Sequence, residues 1–165
     1  MKILYLIRHA KSSWEDHLLS DYDRPLSDRG KRDAPKIGEV LKSKNVSPDL
    51  IISSTARRAL KTSKIFSTIL DYPIENIVEN SIIYEATTQN LLDIINKIDN
   101  NYNTVILFGH NPAFTVLANL LGDKYVDNMP TSAVAELELT VDSWSDVGAD
   151  SGKLVGFEYP KKYLE

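Results

Sequence analysis

Cysteine is absent from this chain of 165 residues, and its absence excludes several chemistries at once. Without thiols there can be no disulfide bond, thiolate-ligated zinc, iron–sulfur cluster or cysteine nucleophile. Long apolar runs are also missing, since none approaches the roughly 20 residues of a membrane-spanning helix. Positive charge is not in excess, because 19 Lys and Arg face 23 Asp and Glu, for a net charge of −4. We therefore expect a cytoplasmic protein that binds neither nucleic acid nor membrane.

The remaining composition is that of an ordinary globular protein. Hydrophobic residues make up 42% of the chain and charged residues 25%, which is typical of folded domains. Because domains span roughly 100–200 residues, we predict a single domain over residues 1–165. No meaning is assigned to the last two residues, Leu164 and Glu165.

Short apolar runs alternate with segments of helical periodicity, which predicts an α/β fold with a mostly parallel sheet. The runs that read as buried strands are residues 3–7, 50–52 and 104–108. Ser27 is predicted to cap the helix after the first strand. A half-exposed strand over 133–139 precedes a neighbour over 153–159, so the sheet should end in an antiparallel edge. The expected architecture is a three-layer α/β/α sandwich.

Helices are predicted to begin directly behind the second and third of these strands. Ser53, Ser54 and Thr55 offer N-cap oxygens for one helix. Asn111 is the N-cap candidate of the other, because Pro112 suits a first helical position, where its missing N–H costs no hydrogen bond. Helix N-termini at this edge would present free N–H groups and partial positive charge.

Polar or cationic residues follow all three buried strands. Arg8 and His9 follow the first, Arg57 and Arg58 lie just beyond the second, and His110 follows the third. Each of them, taken alone, reads as an ordinary solvated residue. Ligands of open α/β sheets bind beyond the carboxyl ends of strands, however, so parallel neighbours would bring these residues together. Such a convergence disfavours a bound cation and favours a phosphoryl group.

The motifs at these positions resemble those of a known family. Residues 8–14 (RHAKSSW) resemble the Arg-His-Gly signature of the histidine phosphatase superfamily, in the form of its SixA-type phosphohistidine phosphatase branch. Residues 23–30 (DRPLSDRG) and 129–133 (MPTSA) also resemble that branch. Residues 53–62 (SSTARRALKT) resemble the superfamily's Ser-Ser…Arg-Ala…Thr segment, and 109–111 (GHN) match the motif of its second histidine. The resemblance implies a phosphoglycerate mutase-like fold.

The resemblance also implies a role for each catalytic residue. His9 would be the nucleophile that forms a phosphohistidine intermediate. Arg8, Arg58 and His110 would clamp the phosphoryl oxygens, and Arg57 falls on a variable position of the family pattern. Attack requires a neutral imidazole, and the surrounding cations favour that form of His9. With such a clamp no metal is required, and we predict neither a metal nor another cofactor.

Three further residues are candidates for the site, each with an alternative role. Ser12 and Ser13, in the loop after His9, could donate hydrogen bonds to phosphate or could stabilise the loop. Many superfamily members protonate an alcohol leaving group with a carboxylic acid, and Glu85 falls where such a residue could lie, although its spacing is not diagnostic. A surface Glu at a helix start is the alternative. A phosphohistidine substrate needs such an acid less, because the pKa of imidazole lies near neutrality.

Chain length favours a protein substrate. With 165 residues there is little room for a lid, so the pocket should admit a phosphorylated side chain of another protein. We therefore predict a metal-independent phosphatase that dephosphorylates phosphohistidine on a protein. The alternative enzyme is a phosphatase of small phosphoesters, and the alternative of another class is a non-catalytic phosphate-binding module. A mutase is disfavoured because it must re-donate the phosphoryl group in a closed site.

Overall fold

The computed structural model describes residues 1–163, so Leu164 and Glu165 lie outside the described residues. The strands are β1 (Lys2–Arg8), β2 (Leu50–Ser53), β3 (Val78–Glu79), β4 (Thr104–Gly109), β5 (Val134–Leu139) and β6 (Gly152–Glu158). The α-helices are α1 (Asp28–Ser43), α2 (Arg57–Ile69), α3 (Thr88–Asn96) and α4 (Ala113–Leu121). No helix within the described part of the chain is long and apolar enough to cross a membrane.

The six strands form one sheet in the order β3-β2-β4-β1-β5-β6. The first four of that order run parallel, and β5 and β6 add an antiparallel edge. Strands β1 and β4, which are apolar on both faces, pair with each other at the centre, where Leu6 lies opposite Leu107. A parallel sheet needs such strands because helices cover both of its faces. The predicted mostly parallel sheet with an antiparallel edge is confirmed.

A hydrophobic core lies on each face of the sheet, because successive side chains of a strand point to opposite sides. Leu4 and Leu6 of β1 join the core beneath α3 and α4. Tyr5 and Ile7 of the same strand join the core beneath α1 and α2. The predicted three layers are therefore confirmed, with two helices on each face and the carboxyl ends of the parallel strands at one common edge.

The helix starts agree with the sequence in one case and differ in another. Ser27 caps α1, since its hydroxyl accepts the N–H of Gly30 at 3.2 Å. The N-cap of α4 is Pro112, which has no side-chain cap bond, so the prediction of Asn111 as N-cap is wrong by one residue. The Asn111 side-chain oxygen instead accepts the N–H of Thr115 at 3.2 Å, one turn inside the helix.

Candidate active site

The carboxyl ends of β1, β2 and β4 bring the predicted site residues to one place. Strands β1 and β4 are neighbours, with Arg8 opposite Gly109, so His9 and His110 follow adjacent strands. Their ring centroids are 5.2 Å apart. Strand β2 lies on the other side of β4 and leads into α2, whose second residue is Arg58. The sheet topology therefore brings two histidines and two arginines together: His9, His110, Arg8 and Arg58.

His9 is 7% exposed, and its two ring nitrogens have different partners. Nδ1 lies 2.7 Å from the carbonyl oxygen of Ala10. Because a carbonyl oxygen only accepts, we assign the ring proton to Nδ1 from this contact. Nε2 then carries the lone pair, and it accepts a hydrogen bond from Nε of Arg58 at 3.3 Å. The nitrogen that faces the arginine is therefore the one with the lone pair.

The environment keeps His9 uncharged at neutral pH. Burial, which disfavours the charged form, lowers the pKa of His9 to about 3, and the nearby cationic groups act in the same direction. The hydrogen bond to the Ala10 carbonyl oxygen opposes this shift but is outweighed. A neutral imidazole is the form that can attack phosphorus.

His110 is neutral for a similar reason, and its partner is a serine that we expected elsewhere. Burial lowers the pKa of His110 to about 4, and the charge of Arg58 adds to the shift. Nε2 of His110 lies 2.7 Å from the hydroxyl of Ser54. The prediction that residues 53–55 cap α2 is wrong, because the N-cap is Ala56 without a side-chain cap bond. Ser54 belongs to the site instead.

Several buried polar atoms around the site have no hydrogen-bond partner within residues 1–163. They are Nε of Arg8, Nδ1 of His110, and the hydroxyls of Thr55 and Ser132. Ser132 adjoins the site, since its N–H donates to the carbonyl oxygens of Arg8 and His9 at 3.2 and 3.1 Å. Buried polar atoms are usually hydrogen-bonded, so these atoms retain unused hydrogen-bonding capacity. The oxygens of a phosphoryl group are acceptors of the kind that these donors lack.

Asp21 is a further residue of the site that the sequence does not predict. Its carboxylate accepts hydrogen bonds from Nη2 of Arg58 at 3.0 Å and from the hydroxyl of Tyr84 at 2.7 Å. Its other oxygen accepts from Nη1 of Arg24 at 3.1 Å. The hydrogen bond from Tyr84 and the charge of Arg58 lower the pKa of Asp21 to about 2. Asp21 is therefore ionised at neutral pH, and it orients three side chains of the site.

The other predicted residues form no hydrogen bond with His9 or His110 within residues 1–163. The hydroxyl of Ser12 accepts from Nη2 of Arg24 at 2.6 Å, so it reaches the cluster through Asp21. The hydroxyl of Ser13 accepts a backbone N–H two residues further on, in a turn. Glu85 is exposed, with a positive φ of 59°. It follows Tyr84, whose ring packs edge-on against the ring of His110. Direct roles for Ser12, Ser13 and Glu85 stay predictions.

Comparison with known proteins identifies the family. The profile of the histidine phosphatase superfamily (branch 1) matches residues 4–80. An uncharacterised protein of Mycobacterium tuberculosis is 32% identical over 165 residues, which cover 94% of this chain and 100% of that protein. A solved structure from Agrobacterium tumefaciens, assigned as the phosphohistidine phosphatase SixA, is 28% identical with a TM-score of 0.80, over 96% of this chain and 98% of its own.

A second solved structure has the same fold. The protein histidine phosphatase SixA in complex with tungstate superposes with a TM-score of 0.84 at 19% identity, over 98% of this chain and 99% of that one. The phosphoglycerate mutase-like fold predicted from the motifs is confirmed by these superpositions. The chain belongs to the histidine phosphatase superfamily, and it resembles the SixA-type branch.

Proposed function

We propose that this protein is a metal-independent phosphatase that removes the phosphoryl group from phosphohistidine on another protein. One observation carries the proposal: a neutral imidazole has its lone pair at Nε2, 3.3 Å from the guanidinium of Arg58. A phosphoryl group that approaches Nε2 of His9 therefore also lies close to the positive charge of Arg58. Electrostatic stabilisation and positioning are the main requirements of phosphoryl transfer.

The reaction would proceed in two displacements at phosphorus. In the first, Nε2 of His9 forms a bond to phosphorus while the bond from phosphorus to the substrate imidazole breaks. The substrate imidazole, which has taken a proton from solvent at its other ring nitrogen, leaves as the neutral base. The ring of phosphorylated His9 is then positively charged, and the Ala10 carbonyl oxygen, 2.7 Å from Nδ1, stabilises it. In the second, water attacks phosphorus, loses its proton to solvent, and releases inorganic phosphate and neutral His9.

Arg8, Arg58 and His110 would hold the non-bridging oxygens during both displacements. Arginine suits this role because its planar fork can grip two oxygens and because it stays charged. The unpartnered Nε of Arg8 and the unpartnered Nδ1 of His110 are available for such contacts in the described structure. Since these groups supply donors and positive charge, the proposed mechanism needs no metal.

The state of the site carboxylate favours a phosphohistidine substrate over a phosphoester. Asp21 is the carboxylate that is hydrogen-bonded within the cluster, and its pKa of about 2 leaves it ionised. It cannot protonate a leaving alkoxide, which is a poor leaving group without a proton donor. An imidazole leaves more readily, because it can be protonated near neutral pH. The names of the two similar SixA structures support the same substrate class.

Replacement of His9 tests the proposal. We expect His9→Ala to lower turnover of a phosphohistidine peptide by at least about 10⁴-fold, since the nucleophile is lost. Rapid quenching of the unchanged enzyme with ³²P-labelled substrate should give an acid-labile, base-stable label that maps to His9. The matched control is His17→Ala, which removes an exposed histidine from the following loop. Label on His110, or turnover that survives His9→Ala, would refute the mechanism.

A comparison of substrates separates the remaining possibilities. We expect kcat/KM for the phosphohistidine peptide to exceed that for phosphoserine and other small phosphoesters. The opposite order would assign the protein to small phosphoesters. Binding of phosphate without turnover of either class would identify a non-catalytic module.

A further inference from the structure

A second cationic feature lies beside the catalytic cluster. It is a cleft of about 390 Å³ between the start of α1, the loop before β5 and the segment after β6. One carboxylate, Asp33, lines it, together with five cationic side chains: Arg8, Lys11, Arg29, Arg32 and Lys161. Because the whole chain has a net charge of −4, this local excess of positive charge does not follow from composition. We refer to it as the basic cleft.

The fold fixes the cations of the basic cleft close to one another. Arg29 and Arg32 are three residues apart on α1 and so lie on neighbouring positions of one helix face. The start of α1 packs directly on the backbone of Lys11, because a Cβ on Gly30 would collide with the Lys11 carbonyl oxygen. The N–H of Ser27 also donates to that oxygen, at 2.9 Å. The cluster is therefore assembled by the backbone and not by chance orientations of long side chains.

The positive charges of the basic cleft repel one another and are largely unpaired. Within residues 1–163, Arg29 pairs with Asp33 at 3.6 Å, and Lys11, Arg32 and Lys161 form no salt bridge. Arg29 also occupies the first turn of α1, where the partial positive charge of the helix dipole repels it. A bound anion would relieve both repulsions. The basic cleft thus has the charge distribution of an anion-binding surface.

The basic cleft is continuous with the catalytic cluster through Arg8. Arg8 lines the cleft, and its charge also contributes to the lowered pKa values of His9 and His110. An anion in the cleft and a phosphoryl group on His9 would therefore share the field of one guanidinium. A single molecule that carries both a phosphoryl group and a nearby negative charge can occupy both places.

We propose that the basic cleft binds an acidic segment of the phosphorylated protein, next to its phosphohistidine. This inference rests on the proposed function, because it names the partner surface of the same site. Arg29, Arg32 and Lys161 are exposed, which suits carboxylates on a solvent-facing segment of another protein. The lining also includes the uncharged residues Pro130, Thr131 and Pro160, against which a polypeptide segment can pack.

Binding of unphosphorylated peptides tests the basic cleft without requiring catalysis. A fluorescein-labelled peptide with four glutamates should bind the protein more tightly than a peptide with four glutamines at the same positions, as measured by anisotropy. We expect Arg32→Ala/Lys161→Ala to weaken binding of the glutamate peptide about 5-fold, since two exposed charge pairs are lost. The control Lys64→Ala/Lys97→Ala changes net charge equally on α2 and just after α3, and should leave binding unchanged.

The outcomes distinguish failure of the basic cleft from failure of the proposed function. Equal binding of both peptides, or an equal loss in the control pair, would overturn the cleft proposal whatever the enzyme hydrolyses. Preferential binding of the glutamate peptide by a protein that hydrolyses no phosphohistidine would preserve the cleft and refute the function. Arg32→Glu/Lys161→Glu gives a further check, because it should reverse the preference in favour of a lysine peptide. If inorganic phosphate at micromolar concentration displaces the glutamate peptide, the cleft is a site for small anions and the proposal is wrong.

Discussion

Strand β1 carries a cation at each end, and the two cations differ in how completely their N–H groups are hydrogen-bonded. Lys2, at the amino end, is 3% exposed and lies beneath the protein surface. Its ammonium donates to the carbonyl oxygens of Asn100 and Tyr102 at 2.7 and 3.1 Å, and to the side-chain oxygen of Asn103 at 2.9 Å. An ammonium has three protons, so Lys2 has a partner for each of them.

Arg8, at the carboxyl end, is only partly hydrogen-bonded within residues 1–163. Its Nη1 donates to the Met129 carbonyl oxygen at 3.0 Å, while its buried Nε has no partner in the part of the chain that the structure describes. Burial and repulsion by Arg58 both lower the pKa of Arg8. Lys2 is saturated by its own chain, which fits a structural role, whereas Arg8 is left with an unused donor beside another cation, which fits the proposed phosphate-binding role. We therefore expect removal of the Arg8 charge to lower activity and removal of the Lys2 charge to lower stability.

Removal of the Arg8 charge should have the largest effect, and on activity. Arg8→Met keeps an apolar stem of similar length but removes the donors that would stabilise the transferring phosphoryl group. We expect kcat/KM to fall about 10³-fold, as for other groups that stabilise transition-state charge. The free energy of unfolding, measured in urea, should change by less than about 1 kcal/mol, because an unsatisfied charge is removed with it. A large loss of stability with activity retained would show that Arg8 is structural.

Removal of the Lys2 charge should affect stability instead. Lys2→Met leaves three acceptors without their donor, which we expect to lower the free energy of unfolding by about 2 kcal/mol. The kcat/KM of the folded fraction should be unchanged, since Lys2 lies at the opposite end of β1 from the site. Lys153→Met, at an exposed position of β6, is the control and should change stability little. A fall in kcat/KM for Lys2→Met would contradict a purely structural role for Lys2.

The sequence predicted the parts of the site that depend on regular structure. His9 and His110 could be placed together because two buried apolar runs predict parallel central strands, whose carboxyl ends lie at one edge. The first turn of a helix after such a strand placed both Arg57 and Arg58 at this edge, and the family resemblance singled out Arg58. Strand and helix periodicity is local, so a single sequence records it.

The sequence did not predict Asp21, Tyr84 or the contact of Ser54 with His110. The hydroxyl of Tyr84 meets Asp21 across 63 residues of sequence, and both lie outside the α-helices and β-strands, where no periodicity reports the contact. One signal was available for Asp21, since an acid three residues before Arg24 has the spacing of an ion pair within a helical turn. Ser54 was misread because a serine before a helix usually caps it.

Asp21→Asn tests whether Asp21 lowers the affinity of the proposed clamp for phosphate. The carboxylate of Asp21 pairs with Arg58 at 3.0 Å and would repel the negative charge of phosphate. We expect the asparagine variant to bind inorganic phosphate about 5-fold more tightly, because a half-exposed charge next to the clamp is removed. The inhibition constant of phosphate against phosphohistidine turnover measures this, with the exposed Asp23→Asn as control. Weaker inhibition by phosphate would mean that Asp21 mainly positions Arg58.

Glu85→Gln should give the smallest change, and it sharpens the choice of substrate. Glu85 is exposed, and the carboxylate that is bound within the cluster, Asp21, is ionised at neutral pH. If phosphohistidine is the substrate, its imidazole can leave without a side-chain acid, and kcat should change less than about 2-fold. If a phosphoester such as phosphoserine is the substrate and Glu85 protonates its alkoxide, kcat should fall about 10²- to 10⁴-fold. Both substrates should be assayed in parallel, with Glu79→Gln on β3 as the control. A large loss confined to phosphoserine would identify Glu85 as a general acid, and efficient turnover of phosphoserine by the unchanged enzyme would then favour small phosphoesters as the substrate class.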